Sequence, residues 1–344
     1  VQGRRRESLP AFCIHKHSSE KNESDERKEG RHMVKYVLKR LGYILVTLWI
    51  IITCTFFLMK NLPGTPFDAE RFSIMTPAQQ EKVLEMYGLN DSVPVQYVKY
   101  IGNMLHGDLG TSFTYVNQDV AKVIGSRLGP SALIGLQAVL IGLALGLILG
   151  VLAAWKHNSG IDYFTMILAV LGVSVPNFVA AALLQYFIGL KWGVLPIAFW
   201  TSWSCSILPS IALSFSATAQ VARFMRTEML DVLDQDYIVT ARAKGISQAK
   251  VLMKHAVKNS IIPVVTVLGP IVVNLLTGSL AVENIFSIPG IGSLFVDCIK
   301  ANDYPVIMGI TIFYAAFYMM IVLLVDVIYS LIDPRIRLAR GKEN

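Results

Sequence analysis

Long runs of apolar residues alternate with short polar segments along most of the chain. A helix needs about 20 mostly apolar residues to cross the hydrocarbon core of a bilayer. Each run of this kind must be helical, because an unpaired backbone amide in lipid costs several kcal/mol. Stretches of sufficient length lie at about residues 36–59, 131–155, 163–190, 207–226, 261–282 and 306–331. The pattern therefore predicts an all-α integral membrane protein with six transmembrane helices.

The segments between and around these stretches predict the domain order. Residues 1–32 are rich in charge and almost devoid of apolar side chains, so we expect a disordered tail or an upstream extension, with Met33 as the natural first residue. The remaining predicted order is a first helix at 33–60, an extracytoplasmic domain at 61–130, a five-helix core at 131–334 with a cytoplasmic loop at 227–260, and a cytoplasmic tail at 335–344.

Three glycines, Gly142, Gly146 and Gly150, are spaced four residues apart in the second apolar stretch. Small residues at this spacing allow another helix to approach closely. Membrane helices are also rich in glycine in general, which is the alternative explanation. We expect close helix packing at these three positions.

Composition and charge narrow the class of protein. The chain is 53% hydrophobic and 16% charged, with a mean hydropathy of +0.52, which excludes an ordinary soluble domain. Its net charge of +7 is distributed unevenly. Sixteen Lys and Arg residues flank the spans on one side, against only Lys191 and Lys300 in short loops on the other. The positive-inside rule therefore predicts that both termini are cytoplasmic, and the basic balance is no evidence for nucleic acid.

The sequence lacks the motifs of a membrane enzyme or a nucleotide-binding protein. It has no HExxH pair, no GxxxxGK[ST] loop and no clustered cysteines. Ser174 would need a histidine base on a later helix, and no histidine follows His255. Asp326 is the only carboxylate well inside a predicted span, so a pair of intramembrane carboxylates is not expected. We expect no catalytic, cofactor or metal site in this chain, and energy for transport would come from a partner.

The loop before the fifth span has an ordered pattern. Its sequence DYIVTARAKG, from Asp236 to Gly245, predicts a short helix that ends at a glycine with positive φ. A second helix follows and leads into the fifth span. On that helix the lysines share one face and the apolar residues another: Lys250, Lys254 and Lys258 against Val251, Leu252 and Ala256.

This loop resembles the EAA loop of binding-protein-dependent ABC importer permeases, in the form typical of the oligopeptide/dipeptide branch. It departs from the general motif at Val239, where a glutamate is usual, and at His255 and Lys258. Other blocks follow in the order of that family: VKYVLKRLGY, YGLNDSVPVQYVKYIGNMLHGDLGTSF, SVPNF and ENIFSIPGIG.

The resemblance implies a type I ABC importer permease fold with an external loop domain after the first helix. It implies the pathway-forming subunit of an oligopeptide importer in a bacterial cytoplasmic membrane. A dipeptide, nickel or other metal-complex importer of the same family is an alternative, while an intramembrane enzyme or a self-sufficient carrier is an alternative of another class. The implied partners are a second permease, two cytoplasmic ATPase subunits that bind ATP and Mg²⁺, an extracytoplasmic peptide-binding protein and membrane lipid.

The resemblance also assigns residues to roles. The implied ATPase-coupling residues are Asp236, Tyr237, Thr240, Ala241, Arg242, Lys244 and Gly245, and we expect Ala241 and Gly245 to face the ATPase. Uncharged polar residues inside the spans are candidates for the peptide pathway, with helix–helix hydrogen bonding as the alternative: Gln137, Asn177, Gln185, Gln220 and Asn274.

The sequence does not assign a single role to three further polar residues. Asp326 is predicted to be a structural partner of Arg223, Arg226 or a backbone donor, with a functional role as the alternative. Glu283 and Asn284, with the PGIG turn that follows, form either a gate or a simple chain reversal.

The predicted topology can be tested by labelling with a membrane-impermeant thiol reagent in a variant whose native cysteines are replaced by serine. Asn90→Cys should be labelled from outside intact cells, because it lies in the predicted extracytoplasmic domain. Gln248→Cys should be labelled only after the membrane is opened. The opposite pattern would reverse the assigned orientation.

Overall fold

The computed structural model of the chain describes residues 37–61, 72, 74–86, 88–115, 118–276 and 280–332. The expectations for residues 1–32, for a start at Met33 and for the tail at 335–344 lie outside these residues. The chain divides into two units, residues 1–50 and residues 51–344. All contacts given below are within the second unit.

In the described ranges the regular elements are helices, apart from one isolated bridge between Thr111 and Asp119. In chain order they are α1 (Val37–Lys60), α2 (Pro77–Met86), α3 (Val93–Leu105), α4 (Val120–Trp155), α5 (Gly160–Ser174), α6 (Asn177–Leu184), α7 (Ile207–Leu233), α8 (Asp236–Ala243), α9 (Val257–Leu276), α10 (Leu280–Ile285), α11 (Ile291–Lys300) and α12 (Tyr304–Ile332). A π-helical turn, Gln185–Lys191, continues α6, a 3₁₀ turn, Trp203–Ser206, precedes α7, and Gln248–Lys250 with a π-helical turn, Val251–Ala256, leads into α9.

Five helical stretches in the described residues are long and apolar enough to cross a membrane, and a bent pair makes a sixth if it is counted as one span. The bent pair is α5 with the stretch Asn177–Lys191, at an angle of 103°. Sequence reasoning predicted one continuous helix here. The helix breaks because Pro176 lacks a backbone N–H and disfavours the α-conformation at Val175, whose ψ is 118°. The predicted all-α membrane fold is confirmed.

Helix α4 begins at Val120, earlier than the apolar pattern indicated, and continues through Pro130. Its first turns belong to a segment that the sequence assigned to the extracytoplasmic domain. There Val120 and Val123 are buried in a cluster that also contains Phe56 of α1, Leu294 of α11 and Val306 of α12. Packing of the first turns against three other helices thus extends α4 beyond its apolar core.

The three glycines of α4 pack directly against α7, as the spacing predicted. A Cβ atom built on Gly142 would lie 2.8 Å from Ala217 Cβ, and one built on Gly146 would lie 2.6 Å from Val221 Cβ. At Gly150 a Cβ would lie 2.7 Å from the carbonyl oxygen of Ala222. The partners on α7 advance with the positions on α4, so the two helices run parallel.

A buried ion pair joins α5 to α7. The guanidinium of Arg226 donates from Nε to Oδ1 of Asp162 at 2.5 Å and from a terminal nitrogen to Oδ2 at 2.8 Å. The backbone N–H of Asn158 and the ring of His157 also contact Oδ2, at 3.0 and 3.1 Å. The carboxylate is 3% exposed, so bidentate pairing compensates for its burial.

This ion pair changes one expectation. Arg226 is paired with Asp162, so it is not available to Asp326, whose side chain lies outside the described residues. Asp162 and Glu283, which lie just beyond the ends of predicted spans, are buried in the structure.

Glu283 holds the chain reversal between α10 and α11. Its carboxylate accepts hydrogen bonds from Ser131 Oγ at 2.7 Å and from the backbone N–H of Ser293 at 3.0 Å. Ser131 in turn accepts a bond from the N–H of Ile291 at 2.8 Å. Asn284 is exposed and donates to the carbonyl of Leu280. The side chain of Glu283 is thus committed to fixing the reversal on α4, which favours that alternative over a gate.

The glycine contact predicts how the helix pair responds to added volume. Gly146→Val should lower the melting temperature of the purified protein and its level in the membrane, because overpacking a close contact costs about 1–3 kcal/mol. Ala144→Val is the matched control, since Ala144 lies on the exposed face of the same helix. Equal melting temperatures for the two variants would contradict the close packing of α4 on α7.

Candidate functional site

The segment between α7 and α9 forms a separate, anchored element. Gln235 adopts an extended conformation, with ψ of 147°, and turns the chain out of α7 into α8. Ile238 and Ala241 of α8 and Val251 are buried together, against Val232, Leu233 and Ile246. We refer to Ile238, Ala241 and Val251 as the loop cluster. Because this cluster contacts the last turn of α7, α8 is held as a firm extension of that helix.

Gly245 ends this element with the predicted left-handed conformation, at a φ of +75°. The N–H of Gly245 bonds to the carbonyl of Arg242 at 2.9 Å, and the N–H of Ile246 bonds to that of Ala241 at 3.3 Å. A Cβ built on Gly245 would meet no atom within 4 Å. The requirement for glycine here is therefore conformational, and the space around it is open.

The helix that follows is amphipathic, as predicted. The three apolar residues predicted to share a face, Val251, Leu252 and Ala256, are buried, and the lysines are exposed, as is Met253. The segment Val251–Ala256 is π-helical and not α-helical. Asn259 Nδ2 donates to the hydroxyl of Tyr237 at 3.0 Å and to the carbonyl of His255 at 2.9 Å. This contact connects α8 to α9.

The outer face of α8 is exposed and mixed in chemistry. Tyr237 and Val239 are 43% and 57% exposed, and Thr240, Arg242 and Lys244 are exposed as well. We call these five residues the α8 patch. It combines two apolar side chains with two cations, and Asp236 is exposed at the start of the same helix.

Ala241 does not belong to that face. It is only 7% exposed and packs within the loop cluster. The expectation that it faces a partner is therefore wrong, because α8 turns every third or fourth residue inward. A carboxylate at this position would enter the cluster and would not test a partner contact.

The candidate pathway residues lie on separate helical segments. Gln185 donates both of its recorded bonds to backbone carbonyls, of Ile197 at 2.9 Å and of Ile285 at 2.8 Å. Gln137 accepts from Ser210 between α4 and α7 at 2.8 Å. Gln137 and Gln185 thus make structural hydrogen bonds between helices and loops, which was the alternative to a role in the pathway. Asn177 is half-buried at the start of α6, Gln220 is half-buried on α7, and Asn274 is exposed on α9.

Sequence reasoning missed two features of this region. Asp162 lies just before the third apolar stretch, so the hydropathy pattern does not predict its pairing with Arg226. The contact between Asn259 and Tyr237 also went unrecognised, since the two residues are 22 positions apart. In the part of the chain that the structure describes, no group of three or more His, Cys, Asp or Glu side chains is arranged to hold a metal ion.

Comparison with known proteins gives consistent results for both halves of the chain. Residues 146–338 match the family described as binding-protein-dependent transport system inner membrane component, and residues 33–128 match the N-terminal region of the same kind of component. The chain is 47% identical to the dipeptide transport system permease protein DppB of Lactococcus lactis subsp. cremoris, over 89% of this chain and 100% of that protein.

Two further relatives have similar coverage. DppB of Bacillus subtilis is 43% identical, over 89% of this chain and 99% of that protein. The oligopeptide transport system permease protein OppB of Escherichia coli K12 is 38% identical, over 89% of this chain and 100% of that protein. A solved amino acid ABC transporter chain aligns with 62% of this chain and 94% of its own length, at 21% identity and a TM-score of 0.48.

The loop cluster predicts different effects for two alanines of α8. Ala241→Asp should loosen the segment 234–259 and increase its proteolysis and amide exchange, because it buries an unpaired carboxylate. Ala243→Asp on the exposed side of the same helix should leave both measures near those of the unmodified protein. Equal protection of the segment in both variants would contradict the anchoring of α8.

Proposed function

The chain belongs to the family of binding-protein-dependent transport system inner membrane components, and we propose that it forms part of the pathway of an ATP-driven peptide importer. The observation that supports the proposal most directly is the exposed α8 patch, on a helix that the loop cluster holds against α7. A patch of this kind, connected to two spans, has the properties needed to receive force from a partner. Relatives named as dipeptide and oligopeptide permeases support the substrate class.

The α8 patch is the proposed docking surface for a cytoplasmic ATPase subunit. Val239 would enter an apolar part of a groove on that subunit, and Arg242 and Lys244 would face acidic side chains at its rim. Because the loop cluster holds α8 against α7, and Tyr237 bonds to Asn259 in the first turn of α9, displacement of the patch would move α7 and α9 together. ATP-driven approach of two such subunits would then favour one arrangement of the spans over another.

The remaining parts of the proposed complex follow from the family. A second, homologous permease would complete the pathway, and an extracytoplasmic binding protein would deliver the peptide. ATP and Mg²⁺ would be bound by the two ATPase subunits. The bacterial relatives support a location in a bacterial cytoplasmic membrane. The distribution of basic residues supports an orientation with both termini in the cytoplasm.

The size of the peptide is the open part of the proposal. Among the relatives named above, the two dipeptide permeases are 47% and 43% identical and the oligopeptide permease is 38% identical. This order favours the dipeptide alternative over the oligopeptide importer that was the first interpretation of the resemblance. Competition between a labelled dipeptide and unlabelled peptides of two to six residues would measure the preferred length.

The docking role of the α8 patch predicts the effect of Val239→Asp. The variant should insert and fold normally, because Val239 is exposed, but fewer ATPase subunits should copurify with it. ATP-dependent peptide uptake into membrane vesicles should fall in proportion, by about 10-fold, since an unpaired carboxylate in an interface costs roughly 1–3 kcal/mol.

Val95→Asp is the matched control for this experiment. It makes the same change at a residue of similar exposure, 43%, at the start of α3, on the other side of the membrane in the proposed topology. It should retain the full complement of ATPase subunits. Normal ATPase binding and uptake by Val239→Asp would contradict the coupling role, and a lack of ATP-dependent peptide uptake by the unmodified complex would contradict the proposed function itself.

A further inference from the structure

Helix α7 carries a polar stripe on the side that other helices leave uncovered. Ser216, Gln220, Arg223 and Thr227 follow each other at intervals of four, three and four residues, so they share one face. Arg223 and Thr227 are exposed and the other two half-exposed. The opposite side of α7 packs on α4 through Ala217, Val221 and Met225.

Arg223 lies within the apolar depth of the helix bundle. It is level with Gly150 of α4, which contacts Ala222 and Met225 of α7. Beyond Gly150, α4 has apolar residues until Lys156, six positions later. At 1.5 Å per residue, Arg223 is about 9 Å from the level of Lys156 and about 4.5 Å along α7 from Arg226, the next charged residue of that helix.

Within the described residues, the charge of Arg223 is not neutralised by a carboxylate. Arg226, one turn below, is paired with the buried Asp162, whereas no carboxylate lies within ion-pair distance of Arg223 in the described ranges. Its guanidinium carbon is 5.8 Å from the centre of the Phe224 ring. A cation at this depth requires water, an anion or a protein partner, because its burial in lipid is costly.

Lipid is a poor environment for this face. A single arginine can reach the headgroups through its long side chain, but Ser216 and Gln220 lie farther from that boundary and cannot. Gln220 donates to the carbonyl and the hydroxyl of Ser216, each at 3.2 Å, and its own carbonyl oxygen has no recorded bond within the described residues. Among the described residues, the carbonyl oxygen of Gln220 and the guanidinium of Arg223 are thus an acceptor and a cation without a hydrogen-bond partner on the same face of α7.

We propose that this stripe lines the peptide pathway and that Arg223 contacts the C-terminal carboxylate of the passing peptide, while Gln220 accepts a bond from its main chain. This inference rests on the proposed function and adds to it a class of substrate, peptides with a free carboxyl terminus. The contact between Arg223 and the terminal carboxylate does not depend on the side chains of the peptide. It therefore suits a pathway for peptides of varied sequence.

The test compares uptake of one peptide with uptake of its C-terminal amide, in vesicles that hold the complete complex, with saturating binding protein and ATP. Arg223→Gln should lower uptake of the free acid about 10-fold and leave uptake of the amide unchanged, because only the acid loses a charged partner. Arg223→Lys keeps the positive charge, so it should retain most of the uptake of the free acid. Lys156→Gln, a loss of charge at the same end of the bundle but off the stripe, should leave the ratio of acid to amide uptake unchanged.

A second measurement identifies what faces the stripe. A photoreactive phenylalanine analogue at Gln220 should form an adduct with a radiolabelled peptide during turnover, whereas the same analogue at the exposed Ala144 of α4 should not. An adduct at Gln220 with the second permease alone, or an equal loss of acid and amide uptake in Arg223→Gln, would overturn the inference while leaving the proposed function intact. If the unmodified complex imports neither peptide, the proposed function and this inference both fail.

Discussion

The contact between α4 and α7 sets the distances at which the rest of the core packs. Apolar side chains gain little from leaving lipid for a protein surface, so helices in a bilayer associate through close packing and hydrogen bonds. The glycines of α4 provide that closeness, and α7 then serves as the central helix, in contact with α5, α6 and α9 as well. The ion pair of Asp162 with Arg226 adds an electrostatic constraint to the same helix.

The central position of α7 gives α8 a direct contact with the helical core. Helix α8 has only eight residues, yet its buried side packs against the last turn of α7. In the proposed importer, force from an ATPase on the α8 patch would be transmitted directly to α7. The polar stripe lies on another face of that same helix.

Local rules accounted for a large part of the fold. The length of the apolar stretches predicted the spans, the spacing of Gly142, Gly146 and Gly150 predicted the close contact, and Gly245 predicted the left-handed end of α8. Each of these depends on neighbouring residues or on one helix face. On the helix after Gly245, the burial of Val251, Leu252 and Ala256 and the exposure of the lysines also followed from the order of apolar and polar residues.

The features that escaped prediction depend on contacts between distant parts of the chain. Asp162 lay just outside an apolar stretch, so its burial against Arg226 required knowledge of how α5 meets α7. Ala241 lies one turn from Ile238 on the inward side of α8, and its burial is completed by Val251, ten positions later. The bend at Pro176 could have been predicted from the missing N–H of proline. The apolar stretch runs through it without interruption, however, and this pattern predicted one continuous helix. The role of the α8 patch remains a prediction.

The bond between Ser131 and Glu283 has a consequence for the order in which the protein is made. The two residues are 152 positions apart, and Glu283 is 2% exposed in the finished fold. At a synthesis rate of about 5–20 residues per second, Ser131 waits roughly 8–30 s for its partner to emerge from the ribosome. The start of α4 therefore enters the membrane with its hydroxyl unsatisfied by Glu283, and the core closes only after α10 and α11 have been delivered to it.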